Sequence, residues 1–160
     1  MNNEIVHLRQ YFLSLIEEIR RTLGYAIRKE ELHSEEDVAL EMMYGGFSFA
    51  LVHSPKNCPK KILLECTFGD IPEENNQAIL LNLLNMNAAI AEIDTSAFCI
   101  DPDSEQLIFT ISLDLQAADA NYILRKMTET VWHGRRWIDS RFIKMSDTRP
   151  NNIVDLNILA

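Results

Sequence analysis

The stretch VALEMMYGGFSFALVH, residues 38–53, contains two runs in which apolar side chains return at every second position, separated by a pair of glycines. Val38, Leu40 and Met42 alternate with Ala39, Glu41 and Met43. After Gly45 and Gly46, Phe47, Phe49 and Leu51 alternate with Ser48, Ala50 and Val52. A period of two is the repeat of a strand with one buried face, because successive side chains leave a pleated chain on opposite sides. A two-residue hairpin turn needs positive φ at its centre, which glycine adopts without a Cβ clash. Two antiparallel strands are therefore predicted, one from Val38 and one over 47–53.

Downstream, past a loop with Pro55 and Pro59, a third strand sets Ile62, Leu64, Cys66 and Phe68 against Leu63, Glu65 and Thr67. The run GDIPEENNQ then carries a helix-start signal, with Asp70 able to cap free amides, Glu73 three residues on and Pro72 in the first turn. A helix is predicted over 72–91. Strands over 95–100 and 106–115 follow, joined by the turn-forming DPDSEQ. The last helix, over 118–141, turns Ala120, Ile123, Leu124, Met127, Val131 and Ile138 inward and Arg125, Lys126, Arg135 and Arg136 largely outward, with Gly134 weakening it near its end. Trp132 and Trp137 are expected to anchor it to the core.

Upstream, Ile5, Leu8, Phe12, Leu15, Ile16, Ile19 and Leu23 recur every three or four residues, the stripe of a helix over 3–23 that Gly24 can stop. Val6, Tyr11 and Leu13 fall off that stripe. They form either a second contact surface or its ragged edge. The order α-β-β-β-α-β-β-α with short hairpin links gives an α+β fold, a five-stranded antiparallel sheet with three helices.

The 160 residues suit one domain, placed at 1–141, with a C-terminal extension over 142–160. No run approaches the ~18 apolar residues of a membrane span. The N-terminus MNNEIVHLRQ lacks a basic leader followed by an apolar core, so a cytoplasmic chain without membrane insertion is expected. Charge is uneven. Residues 1–116 hold 8 Lys or Arg against 19 Asp or Glu, and residues 117–160 hold 7 against 5. An acidic body repels phosphate backbones and anionic lipid, which argues against nucleic acid as a partner.

The residues supply little chemistry. Cys58, Cys66 and Cys99 form neither a CxxC pair nor an even set, and Cys66 and Cys99 read as buried thiols within strands. His7, His33, His53 and His133 stand at no metal-ligand spacing, and Gly45–Gly46 lacks the lysine and helix of a phosphate cradle. No catalytic residue, metal site or cofactor is expected. What remains is surface. The middle helix is apolar on two sides, so either a second subunit or its own domain must cover the excess, and the small size of the domain favours a homodimer. The sheet face opposite the core is half apolar, with Ala39, Met43, Ala50, Val52, Leu63 and Ile108 among Ser48, Glu41, Glu65, Thr67 and Thr110. Such a patch should meet a helix, a second subunit or a client polypeptide.

The run AILLNLLNMNAAIAEIDTSAFCIDPDSEQLIFTISLDLQAADANYILRKM, residues 78–127, resembles the class I type III secretion chaperones of the Tir chaperone family. The likeness lies in a leucine-rich middle helix, a strand, a D-P-D turn, a strand ending in an L-x-L step, and a helix that begins near small residues and Asp. The resemblance implies a cytoplasmic bacterial homodimer that binds the N-terminal segment of a secreted effector, keeps it partly unfolded and delivers it to the export apparatus. It implies that no nucleotide is hydrolysed. It implies a dimer contact through the middle helix, with Ile79, Leu83, Met86 and Ile90 as candidates. It implies effector binding through Val6, Tyr11 and Leu13 on the first helix and Ala39, Met43, Ala50, Val52 and Leu63 on the sheet. A regulatory or sensory protein-interaction domain of similar α+β fold is the alternative.

Overall fold

The computed structural model describes residues 3–25, 36–93 and 95–142. Its elements are α1 (Asn3–Thr22), β1 (Val38–Tyr44), β2 (Phe47–His53), β3 (Lys61–Asp70), α2 (Asn76–Ile90), β4 (Ser96–Ile100), β5 (Gln106–Asp114) and α3 (Ala120–Ser140). The predicted order and the antiparallel five-stranded sheet are both present, with strand order β1-β2-β3-β5-β4. Gly45 and Gly46 turn the first hairpin at φ 60 and 91, as the sequence required. Of the predicted C-terminal extension, all but Phe142 lies outside the described residues.

The periodicity translates directly into burial. Val38, Leu40, Met42, Phe47, Phe49, Leu51, Ile62, Leu64, Cys66 and Phe68 are buried on one sheet face, together with Leu107, Phe109, Ile111 and Leu113 of β5. All three helices put their buried stripes into the same cluster, so the core occupies one side of the sheet. An aromatic group ties its middle: Phe68 lies 5.9 Å from Phe47 and 6.1 Å from both Phe98 and Phe109, and Phe98 meets Phe109 at 4.7 Å. Gly134 does not interrupt α3. It is a notch that admits the Phe47 ring, whose nearest atoms would stand 2.6 Å from any Cβ added there.

Several sequence expectations fail for identifiable reasons. Helix α2 begins at Asn76, not near Pro72, because β3 runs on to Asp70. Past a register shift beside Gly69, Asp70 faces Gln106, whose Nε2 donates to its carboxylate at 3.0 Å. The carboxylate expected to cap a helix therefore serves the sheet. Ile138 is exposed, since the buried line of α3 ends at Trp137 and the next residue lies about 100° further round. Trp132 is exposed for the same reason, one position past Val131, with the Arg136 guanidinium 4.9 Å from its ring; only Trp137 is an anchor. Cys99 is exposed because it falls on the outer face of β4, with Sγ 3.9 Å from the Thr110 hydroxyl.

The burial of two polar side chains was not read from the sequence. Arg9 of α1 is 2% exposed, its guanidinium near the Phe12 ring and donating to the Glu36 carbonyl. His53 is fully buried at the end of β2, its Nε2 donating to the Pro59 carbonyl at 2.9 Å. Burial holds the His53 pKa below the usual histidine value, the Pro59 hydrogen bond working against that shift.

Candidate functional site

The pleat that buries one sheet face leaves the other uncovered by any described helix, and the strand registers arrange it in three rows. One row runs Ala39, Val52, Leu63, Ser112; the next Glu41, Ala50, Glu65, Thr110, Ala97; the third Met43, Ser48, Thr67, Ile108, Cys99. Neighbouring strands lie about 4.8 Å apart and neighbouring rows about 7 Å apart along the strands. Ala39, Glu41 and Met43 at the rim are exposed, while Ala50, Val52, Leu63, Glu65, Thr67, Ile108 and Thr110 are half-buried. The five sheet residues named from the sequence therefore share one surface.

Glu65 is the residue that composition alone did not single out. It stands at the centre of this face between Ala50 and Thr110. Burial pushes its carboxyl above the usual glutamate range, and the like charge of Asp101 adds to the shift. Glu65 and Glu41 make no hydrogen bond or ion pair among the described residues. A raised folded pKa means that the ionised form is disfavoured by folding, so this group subtracts stability at neutral pH, and the penalty disappears as pH falls through the folded value. Glu65→Gln should therefore raise the melting temperature slightly at pH 7 and leave it unchanged at pH 3. An equal gain at both pH values would show that charge is not the cause.

The helix α1 candidates lie elsewhere. Val6 and Leu13 are half-buried and Tyr11 is 43% exposed, with its hydroxyl donating to the Ala118 carbonyl at 3.0 Å. Because α1 buries Leu8, Phe12, Leu15, Ile16 and Ile19 on the core side, these three belong to the opposite side of the sheet from the five strand residues. The sequence candidates divide into two surfaces.

The middle helix is two-faced as expected, but its inward side is the one named for the dimer. Ile79, Leu83, Met86 and Ile90 are 1%, 5%, 2% and 1% exposed and belong to the protomer's own core. Half a turn away, Leu81 and Leu84 are 53% and 65% exposed, flanked by exposed Ala78 and Ala88. A single helix presents both sets, and hydrophobicity does not distinguish them. The same helix closes one sheet edge. The Asn87 side-chain amide donates to the Phe98 carbonyl at 2.9 Å and accepts from the Phe98 amide at 2.7 Å, satisfying the outward backbone groups of that one β4 residue as a neighbouring strand would.

Among the described residues, no group of three or more His, Cys, Asp or Glu could hold a metal ion, and no helix is long and apolar enough to cross a membrane.

The sequence profile of the Tir chaperone protein (CesT) family matches residues 14–137. No curated protein matches the chain. Among solved structures, a chain of the ExsC–ExsE complex is 14% identical with a TM-score of 0.62, covering 80% of this chain and 91% of that one. The Yersinia pestis type III secretion chaperone SycH, crystallised with a stable fragment of YscM2, is represented by a chain 17% identical with a TM-score of 0.57, over 78% of this chain and 97% of that one. A chain of the heterodimeric complex ExoU–SpcU from the type III secretion system of Pseudomonas aeruginosa is 14% identical with a TM-score of 0.57, over 78% and 95%. At these identities the likeness speaks for the fold.

Proposed function

Because the chain belongs to the Tir chaperone protein (CesT) family, we propose that it is a non-enzymatic type III secretion chaperone. It works as a homodimer in the bacterial cytoplasm, binds the N-terminal segment of a secreted effector, keeps that segment partly unfolded and delivers it to the export apparatus. The observation that carries this reading is the outer sheet face. Ala39, Met43, Ala50, Val52 and Leu63 lie there on a rigid sheet, uncovered by any described helix, and the apolar area is the kind a lone domain hides. An extended client covering it can order on binding. The solved relatives support the same reading, one being a type III secretion chaperone in complex with a stable fragment of YscM2 and another a heterodimeric complex from a type III secretion system.

For the homodimer, the support is the outward face of α2. Leu81 and Leu84 stand clear of the core and offer a self-complementary apolar strip of the kind a twofold contact uses.

The test is copurification from the native host. Wild-type chain should recover one polypeptide through its first hundred or so residues. The double variant Val52→Asp with Leu63→Asp should stay folded by circular dichroism, with a lowered melting temperature because the two carboxylates face each other across β2 and β3, and lose that polypeptide. Two carboxylates at the centre of a contact should weaken binding at least about thirtyfold, the equivalent of one strong hot spot. Undiminished recovery by the double variant would remove the sheet face from the client site.

A further inference from the structure

The outer sheet face has one electrically awkward feature. Glu65 sits in its middle, half-buried, with Glu41 two strands away in the same row, and neither has a cation partner among the described residues. The charge acting most on Glu65 is that of Asp101, which has the same sign. Whatever covers this face must strip the remaining water from that carboxylate. A covering segment of aliphatic side chains alone would leave an ionised group buried and unpaired, which costs more than the apolar contact returns.

We propose that the segment occupying this face places an arginine or lysine over Glu65, flanked on both sides by aliphatic residues. This rests on the client-binding reading above and specifies its chemistry. The flanking pattern follows from the rows. Val52 and Leu63 lie on one side of the Glu41–Ala50–Glu65 row and Ile108 with Met43 on the other, each about 7 Å away along the strands. That distance is two residues of extended chain, so the recognised pattern is aliphatic, any residue, basic, any residue, aliphatic. A planar guanidinium can pair with one carboxylate in two hydrogen bonds, which makes arginine the better fit. The acidic balance of residues 1–116 draws in the same sign of partner. A second copy of the acidic sheet face would be repelled, since it would set carboxylate against carboxylate.

The test uses three synthetic nine-residue peptides that differ only at the centre, Arg, Gln or Glu, with Ile two positions before, Val two positions after and Ser or Thr elsewhere. Titrations into the full chain are followed by amide chemical shifts. The Arg peptide should bind at least about tenfold more tightly than the Glu peptide, with shifts centred on Ala50, Val52, Leu63 and Thr110. In Glu65→Gln that preference should shrink to within about twofold, and in Glu65→Arg it should invert. Equal affinities for the three peptides, a preference that survives Glu65→Gln, shifts centred elsewhere, or no binding of the Arg peptide would each overturn the proposal. The two readings fail separately. If the copurifying polypeptide is lost on Val52→Asp with Leu63→Asp yet the peptides show no charge preference, the sheet face is a client site without this selectivity.

Discussion

Leu83→Glu should unfold the protomer, whereas Leu84→Glu, one residue along the same helix, should leave it folded and convert dimers into monomers. Leu83 is 5% exposed in the core. Its replacement forfeits about 1.5–3 kcal/mol of side-chain burial and sets an unpaired carboxylate among apolar groups, at a further cost of several kcal/mol. The sum is comparable with the about 5–15 kcal/mol that holds a whole domain together. Leu84 is 65% exposed, so the protomer loses almost nothing when it is changed. In a twofold contact the substitution enters twice and sets the two new carboxylates against the partner's apolar strip. Circular dichroism reads the first outcome and sedimentation velocity the second. A Leu84→Glu protein that still sediments as a dimer would move the interface away from the outward face of α2.

Trp137→Ala should cost about 3–5 kcal/mol, and Trp137→Phe less than about 1.5 kcal/mol. The ring is fully buried, 5.7 Å from Phe142 and 4.9 Å from the Arg141 guanidinium, and Arg141 also donates to the Trp137 carbonyl at 2.9 Å. Truncation to Ala leaves a cavity at the point where the end of α3 meets the aromatic cluster. The Trp137 indole Nε1 has no hydrogen-bond partner among the described residues. Phenylalanine removes that buried unsatisfied donor, which offsets part of the lost packing. Urea unfolding of the two variants separates the terms: equal losses would mean that ring volume is irrelevant and that the indole nitrogen carries the stability.

The strand part of the candidate surface was legible in the chain. Ala39, Met43, Ala50, Val52 and Leu63 share a face because alternation is a local geometric property, and it holds in all three strands. The α1 candidates were less legible. Val6, Tyr11 and Leu13 leave the helical stripe in the sequence, but only packing shows that they fall on the core side of the sheet, away from the strand residues. Glu65 was visible as one of several polar residues on the outer face. Its isolation from every described cation depends on neighbours brought from β2 and β5, and no spacing along β3 records that.

The sequence by itself determined the elements, their order and the inward face of β1, β2, β3 and β5, since a period of two, a period near 3.6 and the positive φ of a Gly–Gly turn are set by residues within a few positions of one another. Tertiary structure decided which side of α2 enters the core, because Leu83 and Leu84 have the same transfer free energy and only the neighbouring sheet and helices break the tie. It also decided that Asp70 ends a strand by facing Gln106, that Asn87 takes the place of a strand beside Phe98, and that Gly134 gives way to the Phe47 ring. Each of these is a contact between residues far apart in the chain, and its energy exists only once the sheet has brought them together.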